Sequence, residues 1–149
     1  MSNTAIENEV VEDNDLKKIH LKVITHEKIV YENDIDALYV QSKDGRLGIL
    51  KNHIPVMCAL DIGVTKAVSG NEFQCITTMG GILQFSENNA TILTDSAELD
   101  CDIDVARAKQ AKERAEARLK AREDNLDIVR AQIALAKAIA RISAGSKHI

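Results

Sequence analysis

The chain has 149 residues, 45% hydrophobic and 28% charged, which fits one moderate globular domain with a small appendage. No apolar run approaches the roughly 20 residues that a membrane-spanning helix needs, and 3% aromatic residues without a nucleic-acid motif disfavour DNA or RNA as a partner. The net charge of −4 is uneven, because residues 103–149 hold eleven Lys and Arg against six Asp and Glu, giving +5, and residues 1–102 sum to −9.

Residues 1–18 form an acidic extension, with five Asp and Glu against Lys17 and Lys18, that we expect to be disordered. Secretory signals need an apolar core, and organelle transit peptides are Arg-rich and acid-poor. We therefore expect the product to stay in the compartment where it is made. Cys58, Cys75 and Cys101 are too widely spaced for a CxxC motif and are odd in number, which predicts reduced thiols and neither a metal site nor a disulfide.

Residues 19–97 alternate with period two in short runs, which predicts β-strands of about five to eight residues. Ile62, Val64 and Val68, for example, share one face of such a run, and the other face carries Gly63, Thr65, Ala67 and Ser69. Breaks fall at residues 43–45, 69–71, 80–81 and 87–89, all rich in Gly, Asn or Asp. Many short strands without intervening helices indicate a sandwich or barrel and disfavour a parallel α/β sheet.

Residues 98–149 predict two antiparallel helices joined by a short polar break at residues 123–125. Asp100 and Asp102 are candidate N-caps of the first helix, with Asp104 near its positive end, and Gly145 suits the end of the second. An apolar stripe is expected on the second helix, formed by Ile128, Leu135, Ile139 and Ile142. Because alanine buries little surface, we expect the hairpin to be weakly held and able to open.

Catalytic motifs are not found in the sequence. The four histidines lack metal-site spacing, and there is no phosphate loop, no nucleophile elbow and no dinucleotide-binding glycine pattern. Gly80 and Gly81 are expected to form a turn or bulge between two strands rather than a ligand site. We therefore expect a protein that is not an enzyme.

Residues 45–55, with the sequence GRLGILKNHIP, are more specific. They resemble the G-x-L-G-I-L-x-x-H-x-P signature of the epsilon subunits of bacterial and chloroplast F-type ATP synthases, whose mitochondrial counterpart is called delta. LKVIT at 21–25, GGIL at 80–83, TIL at 91–93 and IDVARA at 103–108 are similar to further landmarks of the family in the same order. The resemblance covers residues 19–145 and implies an N-terminal antiparallel β-sandwich followed by a C-terminal antiparallel two-helix hairpin. Lys51 departs from the proline of many members, and residues 1–18 have no match.

The resemblance implies a noncatalytic rotor subunit of a proton- or sodium-translocating ATP synthase. Its sandwich would dock on the gamma subunit and the c-ring, and its hairpin would extend into the alpha/beta catalytic head to block ATP hydrolysis. An acidic segment of beta would then meet the basic hairpin, and Arg130, Lys137 and Arg141, which share one helix face, are the candidate inhibitory contact. An ordinary solvated stripe is the alternative. The expected location is peripheral, on the cytoplasmic face of a bacterial plasma membrane or the stromal face of thylakoids.

The segment beginning at Ile103 also matches the I/L-D-x-x-R-A motif of family members that bind ATP, which implies a regulatory ATP site but no required cofactor. The motif and the positive charges expected on the facing sides of the two helices indicate the candidate ATP-binding residues, which are Ile103, Asp104, Arg107, Ala108, Arg114, Lys137 and Arg141. Arg118 lies on the same face of the first helix as Arg107 and Arg114. The alternative is that these are surface arginines and that Asp104 only complements the helix dipole. Outside the family, a generic interaction module and a stand-alone ligand sensor also fit the composition.

Overall fold

Eight strands, a 3₁₀ turn and two helices follow one another in the computed structural model, which describes residues 17–121 and 125–147. The strands are β1 Ile19–Ile24, β2 Ile29–Ile35, β3 Ala37–Ser42, β4 Gly45–Leu50, β5 Val56–Ser69, β6 Glu72–Ser86, β7 Asn89–Leu93 and β8 Ala97–Leu99. The 3₁₀ turn spans Asp100–Asp102, and the helices are α1 Val105–Ala121 and α2 Asn125–Gly145. The predicted order of strands followed by a helical hairpin is confirmed. Most of the predicted acidic extension, residues 1–16, and residues 123 and 124 of the predicted polar break lie outside the described residues.

The strands lie in the order β2-β1-β7-β6-β5-β3-β4, and β8 adds to β6. Neighbouring strands are antiparallel except for β1 and β7, which run parallel from His20↔Asn89 to Ile24↔Leu93. The entirely antiparallel sheet expected from the sequence is therefore corrected at this pair. Alternation along a strand reports which side chains share a face, and it carries no information about the direction of a partner far away in the chain.

The hydrogen-bonded network folds over a single core, which makes it a sandwich. Strands β1 to β7 all contribute buried side chains to one cluster, including Leu21 of β1, Leu38 of β3 and Phe85 of β6. The two long strands β5 and β6 pair with each other and connect the two layers of the sandwich. The first half of β6 pairs with β8, and its second half pairs with β7. Burial of these aliphatic side chains provides most of the stability of the domain.

The sequence predicts a turn or bulge between two strands at Gly80 and Gly81. In the structure both glycines lie inside the single strand β6. Both adopt positive φ, +78° and +119°, so the strand bends where its pairing changes from β8 to β7. The predicted breaks at residues 43–45, 69–71 and 87–89 are confirmed as the turns after β3, β5 and β6. With 14 and 15 residues, β5 and β6 are longer than the strands expected from the glycine spacing.

Both faces of the β5–β6 ribbon are covered. Thr65 and Ala67 of β5, with Ile76 of β6, are buried on the core side, where Thr65 and Thr78 also bring their hydroxyls within 3.4 Å. The residues that alternate with them, Cys75 and Thr77 among others, are buried on the opposite side, which carries the helical hairpin. The hairpin therefore lies folded against the sandwich.

Helix α1 is capped by Asp104, whose Oδ1 accepts a hydrogen bond of 3.1 Å from the backbone N–H of Arg107. The candidate caps Asp100 and Asp102 instead belong to the 3₁₀ turn, so their assignment was wrong by one turn. Helix α2 ends at Gly145, as predicted, but for a different reason. A Cβ at Gly145 would lie 2.5 Å from Val105 Cγ2, so glycine is needed for close packing against the start of α1.

The two helices bury alanines. Their buried side chains are Ala108 and Ala115 of α1 and Ala131, Ala138, Ala140 and Ala144 of α2. The apolar stripe on α2 does not form its buried face, since Ile139 is 46% exposed and Ile128, Leu135 and Ile142 are only partly buried. Close approach of two helices requires small side chains, and hydrophobicity alone gives too much weight to large ones. The small buried area agrees with a hairpin that can separate from the sandwich.

Candidate functional site

A cleft of about 420 Å³ lies where the start of α1, the end of α2 and strand β8 meet. Its lining consists of Glu98, Asp102, Asp104, Arg107, Ala108, Ala111, Arg114 and Arg141. Five of the seven residues predicted to bind ATP are therefore brought together, although they come from two helices. Arg107 and Arg114 are exposed on α1, and Arg141 approaches from α2. The volume lies within the range of small-molecule sites.

Two predicted residues do not line the cleft. Ile103 packs against the end of α2, since its Cγ2 lies 3.4 Å from the Cβ position of Gly145. Lys137 is partly buried on α2 outside the lining. Arg118, which continues the row of arginines in the sequence, lines a second and more open cleft together with Asp127 and Arg130.

Glu98 belongs to the first cleft and was missed by the sequence analysis. One of its oxygens, Oε1, accepts hydrogen bonds from Nε of Arg141 at 2.9 Å and from Nη2 at 2.8 Å. The pair joins β8 of the sandwich to α2, and both side chains are about one-third exposed. No spacing rule identifies Glu98, because its relation to Arg141 arises only when the hairpin folds back.

Charges of both signs face each other in this cleft. Three arginines and three carboxylates line it, and one of the carboxylates, Asp104, already caps α1 through Oδ1. Arginine forks bind phosphate oxygens through paired donors, so an anion between the helices would satisfy Arg107 and Arg114. Arg141 bonds Glu98 through Nε and Nη2, so its Nη1 can still donate to such an anion. The cleft can thus link anion binding to the contact between sandwich and hairpin.

A row of apolar side chains crosses the outer surface of the sandwich. Consecutive strand pairings connect Ile29, Ile24, Leu93, Ile82 and Ala59 across β2, β1, β7, β6 and β5. Ile29, Leu93 and Ile82 are 54%, 52% and 48% exposed. We call these five residues the apolar row. A contiguous exposed patch of this kind is typical of a protein-binding surface.

The loop at residues 51–54 is fixed to the sandwich by hydrogen bonds and a ring contact. Asn52 and Asn88 exchange hydrogen bonds of 2.7 and 3.0 Å, and the ring of His53 lies edge-on to Phe85 with 5.9 Å between centroids. The same loop presents Ile54, which is 74% exposed. The loop of the signature at residues 45–55 is therefore fixed to the sandwich, and it exposes an apolar side chain.

Lys51, the departure from the family signature, has an ion-pair partner in Asp36 at 3.3 Å. The N–H of Gly70 donates to the same carboxylate at 2.8 Å and lowers its pKa, and Lys51 and Lys18 act in the same direction against the effect of burial. Asp36 thus joins three connections of the sandwich. Lysine in place of proline thus provides an ion pair between this loop and Asp36.

Within residues 17–121 and 125–147, no group of histidine, cysteine and carboxylate side chains has the arrangement of a metal site. Nor does either helix of that region have the length and apolarity needed to span a bilayer.

Comparison with known proteins assigns both halves of the chain. The family model of the ATP synthase delta/epsilon chain β-sandwich domain matches residues 18–100, and that of the delta/epsilon chain long α-helix domain matches residues 102–145. An ATP synthase epsilon chain from Pediococcus pentosaceus is 46% identical over 132 residues, which cover 86% of this chain and 94% of that protein. Another, from Halalkalibacterium halodurans, is 38% identical, covering 87% and 98%. A chain in the cryo-EM structure of the Euglena gracilis mitochondrial ATP synthase OSCP/F1/c-ring assembly superposes with a TM-score of 0.77 at 19% identity, covering 89% of this chain and 82% of that one.

Proposed function

This chain belongs to the delta/epsilon family of ATP synthase subunits, and on that premise we propose that it is a noncatalytic subunit of the central stalk that links gamma to the c-ring. The apolar row supports this role. A sheet face that leaves isoleucine and leucine half exposed in a folded monomer gains free energy when a partner covers it. Gamma is the proposed partner of the row, and exposed Ile54 is a further apolar side chain that a partner could cover.

The gamma contact is tested by placing a charge in the middle of the row. We expect Ile82→Asp to weaken capture of the full-length chain by immobilised gamma about tenfold or more, because a carboxylate would be desolvated in the interface. Val129→Asp is the matched control, since Val129 is 52% exposed but lies on the hairpin. Equal capture of both variants and the parent chain would exclude the apolar row as the gamma contact. Circular dichroism verifies that both variants remain folded.

The hairpin regulates ATP hydrolysis in this proposal by exchanging the sandwich for the catalytic head. Its weak, alanine-based packing supports the exchange, and its positive charge suits an acidic segment of beta. Arg130 is exposed in the closed form and available for that contact, and Lys137 is partly so. Arg141 becomes available only after it leaves Glu98.

ATP is the proposed regulatory ligand of the cleft and favours the closed hairpin. The support is geometric, since the cleft exists only while Arg141 of α2 lies opposite Arg107 and Arg114 of α1. A triphosphate there would offset the repulsion among the three guanidinium groups and join the helices. A ligand shifts the equilibrium only as far as it prefers one form, so the cleft favours closure in proportion to its affinity.

Calorimetric titration of the isolated chain with ATP tests the site. We expect Arg107→Ala to reduce the affinity about tenfold or more and Arg118→Ala, in the other cleft, to leave it nearly unchanged. Asp104→Asn separates capping from ligand binding, because asparagine also caps helices but carries no charge. Lack of binding at millimolar ATP, or equal loss in Arg107→Ala and Arg118→Ala, would contradict the site.

A further inference from the structure

Asp100, in the 3₁₀ turn between sandwich and hairpin, is a carboxylate enclosed by the closed hairpin. Its side chain is only 8% exposed, and α2 packs against this turn. Oδ1 accepts a short hydrogen bond of 2.6 Å from the side-chain amide of Gln74. Oδ2 is buried and accepts no hydrogen bond within the described residues. A carboxylate with one unsatisfied oxygen strongly opposes burial unless a positive charge is near.

Lys147 provides that charge from just beyond the end of α2. Its Nζ lies 3.5 Å from Asp100 Oδ2, a separation that suits an ion pair but is long for a well-formed hydrogen bond. The backbone of Lys147 is fixed by a bond of 3.1 Å to the carbonyl of Ala144 and turns back with φ of +53°. Its Nζ also lies 5.6 Å from the centroid of the Phe73 ring. The turn that follows α2 thus places the ammonium beside the carboxylate, with the Lys147 side chain 57% exposed.

We propose that Lys147 and Asp100 form a charge latch in which Lys147 is the counter-charge that permits the hairpin to close over Asp100. When the hairpin lifts, Asp100 returns to water and no longer needs a partner. Loss of Lys147 therefore destabilises the closed form selectively, whereas loss of the Asp100 charge removes the need for the latch. The regulatory meaning of the latch rests on the proposed function, since closure withholds the hairpin from the catalytic head.

Cys75 reports on the state of the hairpin. It is fully buried in β6 on the face away from the sandwich core, where α2 covers the ribbon. Burial raises the pKa of its thiol and the nearby charge of Asp100 raises it further, whereas Lys147 and Lys66 act in the opposite direction. Cys58, which is only partly buried beside the core, responds to opening of the sandwich itself. The ratio of alkylation at the two cysteines therefore separates hairpin opening from unfolding.

The test measures the alkylation rate of Cys75 by iodoacetamide in the full-length chain, with each cysteine resolved by peptide mass spectrometry. Exposed Cys101 is replaced by alanine throughout because it adjoins Asp100. We expect Lys147→Met to raise the Cys75 rate about tenfold with Cys58 unchanged. Adding Asp100→Asn to Lys147→Met should return the rate to within about threefold of the parent. Lys109→Met, at an exposed lysine of α1, is the control and should change neither rate.

Two results would overturn the latch. One is an unchanged Cys75 rate in Lys147→Met. The other is a raised rate that Asp100→Asn does not suppress, because Lys147 would then act through Phe73 or through the helix end and not as a counter-charge. The measurement uses neither gamma nor ATP, so a failed gamma or ATP experiment leaves its outcome intact, and the reverse also holds.

Discussion

Gly81→Ala is expected to destabilise the sandwich by about 3 kcal/mol or more. The φ of Gly81 is +119°, a region that L-residues rarely adopt, and an added Cβ would lie 2.9 Å from Thr94 Cα and closer still to the carbonyl oxygen of Leu93. Those atoms belong to backbone that passes directly beside β6, so no side-chain rotation relieves the clash. A domain of this size has a total stability of only about 5–15 kcal/mol, and the substitution removes a large share of it.

Gly70→Ala provides the matched control for this prediction. Gly70 also has a positive φ, +61°, but nothing lies within 4 Å of its Cβ position. It therefore reports the backbone strain alone, about 1 kcal/mol. Urea unfolding followed by circular dichroism measures both. Similar midpoints for the two variants would mean that the bend in β6 relaxes and that close packing against Leu93 and Thr94 does not enforce it.

Deletion of residues 103–149 is expected to raise ATP hydrolysis by the assembled complex severalfold while assembly persists. The deletion removes the segment that we propose reaches the catalytic head, and it retains the apolar row and strand β8. Single changes at Arg130 and Lys137 should act in the same direction but more weakly, because exposed charge contacts are each worth less than about 1 kcal/mol. An unchanged hydrolysis rate in complexes that contain the shortened chain would assign the hairpin a structural role.

The residue at which the chain is truncated affects the expected stability of the remaining sandwich. The sequence predicts the boundary between the strand region and the hairpin after residue 97. In the structure β8 lies across that boundary and pairs with β6 at residues 76–78. A chain that ends after Asp102 keeps this strand, whereas one that ends after Ser96 leaves the β6 edge unpaired. We therefore expect the shorter chain to be the less stable, which thermal unfolding of the two measures.

The sequence predicts local structure well and distant partners poorly, for physical reasons. Period-two alternation and turn residues identify most strands, and helix propensity identifies the hairpin, because these signals act over a few residues. Three of the predicted arginines, Arg107, Arg114 and Arg141, meet in one cleft, since helical spacing and a short connection determine which faces meet. The sequence does not identify Glu98 or Lys147, because their roles depend on contacts across the sandwich–hairpin boundary. The sequence also does not identify the alanine face of α2 as its buried face, because tight packing is a property of two helices together.

The parallel pairing of β1 with β7 has a consequence for how the protein is made. Residues 20–24 are held by residues 89–93, so the first strand has no partner on that side until nearly the whole sandwich has left the ribosome. At a translation rate of about 5–20 residues per second, several seconds pass between the synthesis of β2 and that of β7. During this time β1 and β2 can pair only with each other at this edge, and their apolar side chains stay exposed. Such long-range closure also slows folding after release, since the loop entropy must be overcome before the pairing is gained. The nascent chain is thus most exposed to aggregation and to chaperones just before β7 emerges.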